Sequence, residues 1–560
     1  MRRTAILLSF LSALALNGIS AQEASYSVPR KARSALEGMS ADRMRAHVKY
    51  LSSDLLEGRG TGQRGGELAA AYLATQFELM GLKPGATDGT YFQKVPLVGI
   101  TSQSDTSLKL ANARGSVPLQ YLEDYVAWSR TEEKITDQKS DLVFVGYGIV
   151  APEFDWDDYK GMDVAGKTLL VLVNDPPSPD PKLFGGPALT YYGRWTYKFE
   201  MGLKKGAIGV ILIHTTPSAG YGFNVVQNSW SKEQPFVGRA PGEKALKLES
   251  WITEAKGKEL FKLAGKDLDE ARDAAGRRDF RPIPMGVTVT SHIVSKVRPV
   301  ETANVLGLLP GSDPMQKKEV VIFTAHYDHL GVGKPENGDD IFNGAVDNAS
   351  GVSILLELAH GYAEACSRGA CPPRSILFIA AAAEEGGLRG SQYYATHPTF
   401  SPGKIAANLN IDGIQVIGKA LEYTFLGSDK TTLGPIIAWA EREYGFTNVP
   451  DPEPGQGSYY RSDHFNFAKV GVPAISIDQG DKFEGKDPAW GKKVWEDYNE
   501  NRYHRPADEY DPAWDFSGLV KLGRITGAIG WVIASQEALP SWQPGDEFLA
   551  AREASWKTGS

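Results

Sequence analysis

Residues 319–330 read EVVIFTAHYDHL. Val320 to Phe323 form an apolar, β-branched run of the kind that fills a strand buried on both faces. The run then delivers His326, Asp328 and His329 within four positions. Titratable groups at the end of a core strand are costly unless water or a bound partner meets them. The texture recurs downstream, where strand-like and helical runs alternate: VVIFTA, GVSILLELAHGYAEA, SILFIAAAA, KIAANLNID, LEYTFLG, LGPIIAWAEREYG and PAISID. Such alternation predicts an α/β fold, a mixed, mainly parallel sheet flanked by helices.

In open sheets of this kind, functional groups gather at the carboxyl ends of the strands. Glu384 and Glu385 follow SILFIAAAA, and Asp412 follows IAANLNI. Asp347 lies in GAVDNASG, just ahead of a helix, and Asp463 and His464 lie in YYRSDHFNF near the last strand. Carboxylates brought together repel one another unless cations neutralise them. Mixed His, Asp and Glu ligation suits zinc or a similar first-row ion, with about three protein ligands per metal and an open position for water. The groups suffice for two ions. Glu384 and Glu385 are adjacent and would face opposite ways in a regular strand, so they belong in the turn beyond it.

The chain has 560 residues, 42% hydrophobic and 23% charged, enough for two or three domains. Its net charge of -8 shows no basic footprint, so nucleic acid is not an expected partner. The opening MRRTAILLSFLSALALNGISAQ reads as a secretory signal. Arg2 and Arg3 supply its charged end, and Ala5 to Leu16 is too short an apolar run to span a bilayer. Cleavage near Gln22 is expected, and a retained membrane anchor is the weaker reading. The protein is therefore expected to be secreted or periplasmic, without stable membrane insertion. Cys366 and Cys371 are the two cysteines, and in an exported protein a short-loop disulfide is their expected role.

Along the chain, SADRMRAHVKYLSSDLLEG predicts a helix capped by Ser40, LEGRGTGQRGG (56–66) breaks it, and GELAAAYLATQFELMGL resumes it. DLVFVGYGI, KTLLVLVND and GVILIHT read as short strands around a helical TYKFEMGLKKGA, a small β-rich insert. The text near 291–318 reads as loop. The expected organisation is a signal (1–21), an N-terminal part (22–134), the insert (135–290), the main α/β domain (291–540) and a tail (541–560).

The set AHYDHLG, GAVDNASG, EEGGLRGS, NIDG and RSDHFNF resembles the dinuclear-zinc aminopeptidase group of peptidase family M28, in that family's order. The insert, through DVAGKTLLVLV and KKGAIGVILIH, resembles a protease-associated domain. The resemblance implies a zinc-exopeptidase fold holding two zinc ions. His326 and Asp412 would hold one ion, Glu385 and His464 the other, and Asp347 would bridge them. Asp328 would orient His326, and Glu384 would be the general base on a metal-activated water. Tyr459 or Tyr460 could donate to the oxyanion. His329 is expected to be a surface or supporting histidine. His504, in NRYHRPADEYD, resembles a recurring late motif of the family and is expected to form pocket wall or helix cap. Arg194 and Tyr197 of the insert could reach substrate.

The implied function is a zinc aminopeptidase acting on peptides. A carboxypeptidase or dipeptidase of the same fold is the alternative, with Arg461 as the candidate for a terminal carboxylate. A glutaminyl cyclase, which keeps one zinc, and a non-catalytic receptor-like homologue fit less well, because ligands for two ions are all present. No HExxH, GxSxG or Walker P-loop occurs.

Overall fold

Val320–His326 is a strand buried along its whole length. Its side chains alternate between two cores, as the period of two requires. Val321, Phe323 and Ala325 enter the larger core, and Val320 and Ile322 the smaller one on the other face. The computed structural model describes residues 26–558, so the expected signal segment lies outside the described residues. No helix among the described residues is long and apolar enough to cross a membrane.

The sheet that carries the site comprises β1 (Phe92–Ser102), β2 (Ile283–Leu309), β3 (Val320–His326), β4 (Ser375–Ala381), β5 (Ile405–Ile411), β6 (Glu422–Leu426) and β7 (Ala474–Gln479). They lie side by side in the order β1, β2, β4, β3, β5, β7, β6. The four strands from β4 to β7 run parallel, and β1, β2 and β6 complete the edges antiparallel. The fold is thus a mixed, mostly parallel sheet flanked by helices. Helices α1 (Ala41–Leu51), α2 (Arg64–Leu79), α3 (Gly351–Ser367) and α4 (Ser517–Ser535) line the larger core. At the end of α3, Cys366 and Cys371 are disulfide-bonded, with Cα atoms 4.3 Å apart.

A second sheet belongs to a core spanning residues from Ile100 to Ile293. Its strands lie in the order Tyr125–Trp128, Leu248–Thr253, Gly209–His214, Thr168–Leu172, Ile135–Phe144, the first half of β2 and Ser107–Asn112. Ser107–Asn112 and Tyr125–Trp128, which the sequence reading leaves in the N-terminal part, pair here. The 27-residue β2 joins the two sheets, its first half in the second and Ser295 to Leu309 in the first. Much of the stretch expected as loop is therefore strand. Its alternation was legible, since Val287, Val289, Ser291, Ile293 and Ser295 are buried every second residue. Pro299 and the flanking charges disguised it.

The break between α1 and α2 is a tight turn packed against the segments that follow β3. Ser40 caps α1 by accepting the Arg43 backbone N–H. At Gly65 a Cβ would stand 1.7 Å from the Leu56 carbonyl oxygen, so only glycine allows that approach. The turn buries Arg59 completely. Its guanidinium donates to the carbonyls of Leu51, Tyr327 (2.7 Å), Asn343 (2.6 Å) and Gly344 (2.8 Å). One side chain therefore ties α1 to the end of β3 and to the loop before Asp347. Arg59→Met should leave buried acceptors unpaired, each costing about 1–3 kcal/mol, for a total loss above about 3 kcal/mol. A urea titration followed by tryptophan fluorescence reads this directly, and an unchanged midpoint would mean that the carbonyls find other donors.

Candidate metal centre

His326 closes β3 with its ring 1% exposed. Its Nδ1 lies 3.0 Å from the backbone carbonyl of Asp328, which can only accept, so Nδ1 carries the proton. Nε2 then faces two carboxylates, Asp412 Oδ1 at 3.0 Å and Asp347 Oδ1 at 3.1 Å. The orienting atom is thus the main-chain oxygen of Asp328 rather than its carboxylate, which sequence reasoning had chosen. The carboxylate instead accepts from the Thr61 hydroxyl and the Ala383 N–H, both at 2.6 Å. It thereby pins the turn that presents Glu384 to the N-terminal glycine-rich segment.

Asp347 precedes α3 in a loop held by Asp508. The Asp508 carboxylate accepts the N–H groups of Val346 (3.0 Å) and Asp347 (3.1 Å), with the Tyr498 hydroxyl at 3.2 Å. Asp347 Oδ2 faces His504 Nε2 at 3.3 Å, and the same nitrogen lies 3.0 Å from Glu385 Oε2. On its other oxygen, Glu385 meets His329 Nδ1 at 2.7 Å. Asp412 follows β5, and its second oxygen accepts from the Ser462 hydroxyl at 2.6 Å.

Three groups of ligand type result among the described residues: Asp347 belongs to two of them, and the third joins His326 to Glu384 and Glu385. His326, Asp347 and Asp412 have ligand atoms within 4.8 Å of one another, as do His329, Asp347 and Glu385. His504 joins the second by the distances above. His329 Nδ1 and Nε2, Glu385 Oε1 and His504 Nε2 are all sealed from solvent and unsatisfied by hydrogen-bond geometry. Nitrogen and oxygen ligand atoms that crowd together without hydrogen-bond geometry are what a bound first-row metal would satisfy, so the residues present fit such an ion.

The electrostatics agree. Burial disfavours charge on His326, yet Asp412 and Asp347 hold its pKa well above the usual value. Burial likewise opposes ionisation of Asp347, but His326 and His504 keep it well below the carboxylate range. Burial and Asp347 work against Glu385, and His504 and His329 still bring it to about 2. Glu384 differs. Burial pushes its pKa well up, and Asp412, Glu385 and Asp463 add to that against the pull of His326. Of two adjacent glutamates, one is held ionised beside histidines and the other is held ready to keep a proton.

The sequence-based assignments separate accordingly. His326, Asp347, Glu385 and Asp412 converge, with Glu384 beside them. His464 does not join them. It is fully buried against Tyr459, ring centres 4.8 Å apart, with neither ring nitrogen hydrogen-bonded, and it falls in none of the ligand groups among the described residues. It lies in the first turn of the helix His464–Lys469, which directs it into the smaller core. The position expected for it is taken by His504 and His329, which the sequence reading had set aside. The Tyr459 hydroxyl donates to the Ala474 carbonyl at 3.0 Å and the Tyr460 hydroxyl to Glu547 at 2.7 Å, so neither is free for an oxyanion. Arg461 does face the cleft, as does Tyr503, whose ring stacks on His504 at 3.9 Å. Arg59, Thr61 and Asp508 went unnoticed in the sequence. The glycine-rich turn and the aspartate four residues after His504 were the available signals.

The model of peptidase family M28 matches residues 304–527. Aminopeptidase YwaD of Bacillus subtilis strain 168 is 27% identical over 220 residues, 37% of this chain and 40% of that protein. A probable leucine aminopeptidase of Trichophyton verrucosum is 30% identical over 188 residues, 33% of this chain and 48% of that one. A probable glutamate carboxypeptidase of Arthroderma benhamiae is 27% identical over 258 residues, 42% of this chain and 31% of that one. The chain spans less than half the length of these curated relatives. Among solved structures, an aminopeptidase from Aneurinibacillus sp. strain AM-1 aligns over 91% of this chain and 97% of its own, at 19% identity and a TM-score of 0.47. With the matched segment carrying every residue of the centre except those of the N-terminal turn, residues 304–527 are a domain of peptidase family M28.

Proposed function

We propose that this protein is a zinc-dependent exopeptidase, an aminopeptidase that removes N-terminal residues from peptides after export to the periplasm or the medium. The observation that carries the reading is the pair of ligand groups sharing Asp347, with Glu384 at their side. His326, Asp347 and Asp412 would hold one zinc ion, and Asp347, Glu385 and His504 the other, with His329 in reserve at the second. Zinc bound there would supply Lewis-acid polarisation of the scissile carbonyl and a water of lowered pKa.

The chain's own residues do the rest. Glu384 would accept the proton of the attacking water at its carboxylate and return it to the leaving amine, a role that suits a carboxylate lining the cleft beside the ligand groups. Asp328 fixes the His326 ring through its carbonyl and the Glu384 turn through its carboxylate. Asp508 fixes the backbone of Asp347. The module around the second sheet, protease-associated in kind, forms one wall of the cleft through Arg194 and Trp195. Export is supported by the signal-like opening and the Cys366–Cys371 bridge. A carboxypeptidase or dipeptidase is the second reading, favoured by Arg461 in the cleft.

Glu384→Gln should leave metal content unchanged and lower turnover by about 10²–10⁴-fold, the range for a lost general base. Metal analysis beside peptide hydrolysis checks it, and loss of metal would make Glu384 a ligand. His504→Ala should lose metal from one group while His464→Ala retains both, the opposite of the assignment made from the motif order. A peptide with a free amino terminus should be shortened from its front end while its N-acetylated twin is spared. Equal cleavage of both, from the other end, would transfer the protein to the carboxypeptidases.

A further inference from the structure

Beside the metal centre lies a cleft of about 370 Å³, walled by both sheets' domains and including Glu384 and Glu385. Four cationic side chains line it, and two are accounted for within the protein. Lys469 pairs with Glu200 at 3.2 Å. Arg389 donates to the carbonyls of Pro235 (2.8 Å) and Gly386 (3.0 Å) and to Gln392 (3.1 Å). The other two, Arg194 and Arg461, make no ion pair among the described residues. Arg461 uses only its Nε, on the Gln456 carbonyl at 3.1 Å. Arg194 is half-buried, and its Nε is sealed from solvent without a hydrogen-bond partner. Burial and the neighbouring charge of Arg461 bring the Arg194 pKa down to about 10, still a cation at neutral pH.

Two guanidinium groups held near each other without a counter-ion repel, a cost that a bound anion would offset. The arrangement is built rather than incidental. Arg194 stands at the start of the helix Trp195–Lys204. The segment leading to it is docked on the stretch that carries Arg461. The Leu189 N–H donates to the Pro454 carbonyl at 3.0 Å, and the Tyr191 ring packs edge-on against Phe465, centres 5.3 Å apart. Tyr191 also donates its N–H to Glu547 at 3.3 Å. Both guanidiniums are thus fixed in the wall of one cleft, one from each domain. The acids of that wall are spoken for: Glu200 by Lys469, Glu385 by the histidines, Glu384 by catalysis.

We propose that Arg194 and Arg461 together bind a carboxylate of the peptide substrate in the cleft beside the metal centre. Guanidinium forks match carboxylate geometry and give the strongest class of hydrogen bond available to such a group. The carboxylate is either the free C-terminus of a very short peptide or an acidic side chain just beyond the cleaved bond. The proposal rests on the exopeptidase reading and adds its substrate class.

The test uses two matched pairs of peptides, Ala-Ala against Ala-Ala-amide and Ala-Asp-amide against Ala-Asn-amide. Binding is measured by calorimetry on metal-loaded, full-length Glu384→Gln protein, where affinity does not depend on turnover, and hydrolysis on the native protein. At least one acidic member should bind about ten-fold tighter than its neutral twin and show a correspondingly lower KM. A preference in the first pair identifies the terminal carboxylate, and in the second the side chain. In Arg194→Gln and Arg461→Gln the ratio should fall close to one, and Arg→Lys at either position should restore part of it. Equal affinity within both pairs, or a ratio that survives both Gln substitutions, overturns the proposal. Carboxylate-selective binding without hydrolysis of any of the four peptides would overturn the exopeptidase reading and leave the arginine pair standing.

Discussion

The centre depends on crowded negative charge. Asp347, Glu384, Glu385 and Asp412 converge on His326, and two like charges 4 Å apart in a protein environment repel by about 4 kcal/mol at an effective dielectric of 20. The fold holds them together by spending backbone and buried cations on the second layer. Asp508 takes the amide hydrogens of the Asp347 loop, and the Asp328 carboxylate takes the Ala383 amide hydrogen at the Glu384 turn. Arg59 sits behind both, wholly buried, its charge felt by Asp508, Asp328, Asp347 and Glu385. Its own pKa is brought to about 10 mainly by burial, which those carboxylates partly offset. The remaining repulsion is what makes the site a demand for cations.

From this follows the division of labour between the adjacent glutamates. They share a turn and a degree of burial, yet one is held ionised and the other is pushed toward the protonated form, because only Glu385 faces His504 and His329. Opposite displacement of neighbouring pKa values gives one environment two carboxylates of different proton affinity. The distinction comes from which imidazole each carboxylate meets, not from the chemistry of the residue.

The second domain is not a loose appendage. It enters and leaves through strands that pair with the first sheet, and β2 passes from one sheet into the other without a break. A rigid strand transmits orientation better than a loop does, so the wall bearing Arg194 has a fixed position over the cleft. Tyr191, Leu189 and Glu200 complete that docking from the other side. The cleft is accordingly lined from both domains, while the clustered His, Asp and Glu residues come from one.

Local pattern was enough for much of this. A β-branched run such as Val320–Phe323 can only be a core strand, and side chains placed just after parallel strands must share one edge, so His326, Asp347, Glu384, Glu385 and Asp412 were legible as a cluster before any coordinates. The choice among histidines was not. His464 stands in a motif as suggestive as that of His504, but helix phase turns one into a core and a positive φ of 56° with a ring stacked on Tyr503 aims the other at Asp347. Likewise nothing in LEGRGTGQRGG announces that Arg59 reaches carbonyls more than 260 residues away. Sequence order determines which groups arrive at the edge of the sheet, because strand direction is a local property. Which of them face one another was decided only by tertiary packing, because that depends on rotations set by contacts between segments far apart in the chain.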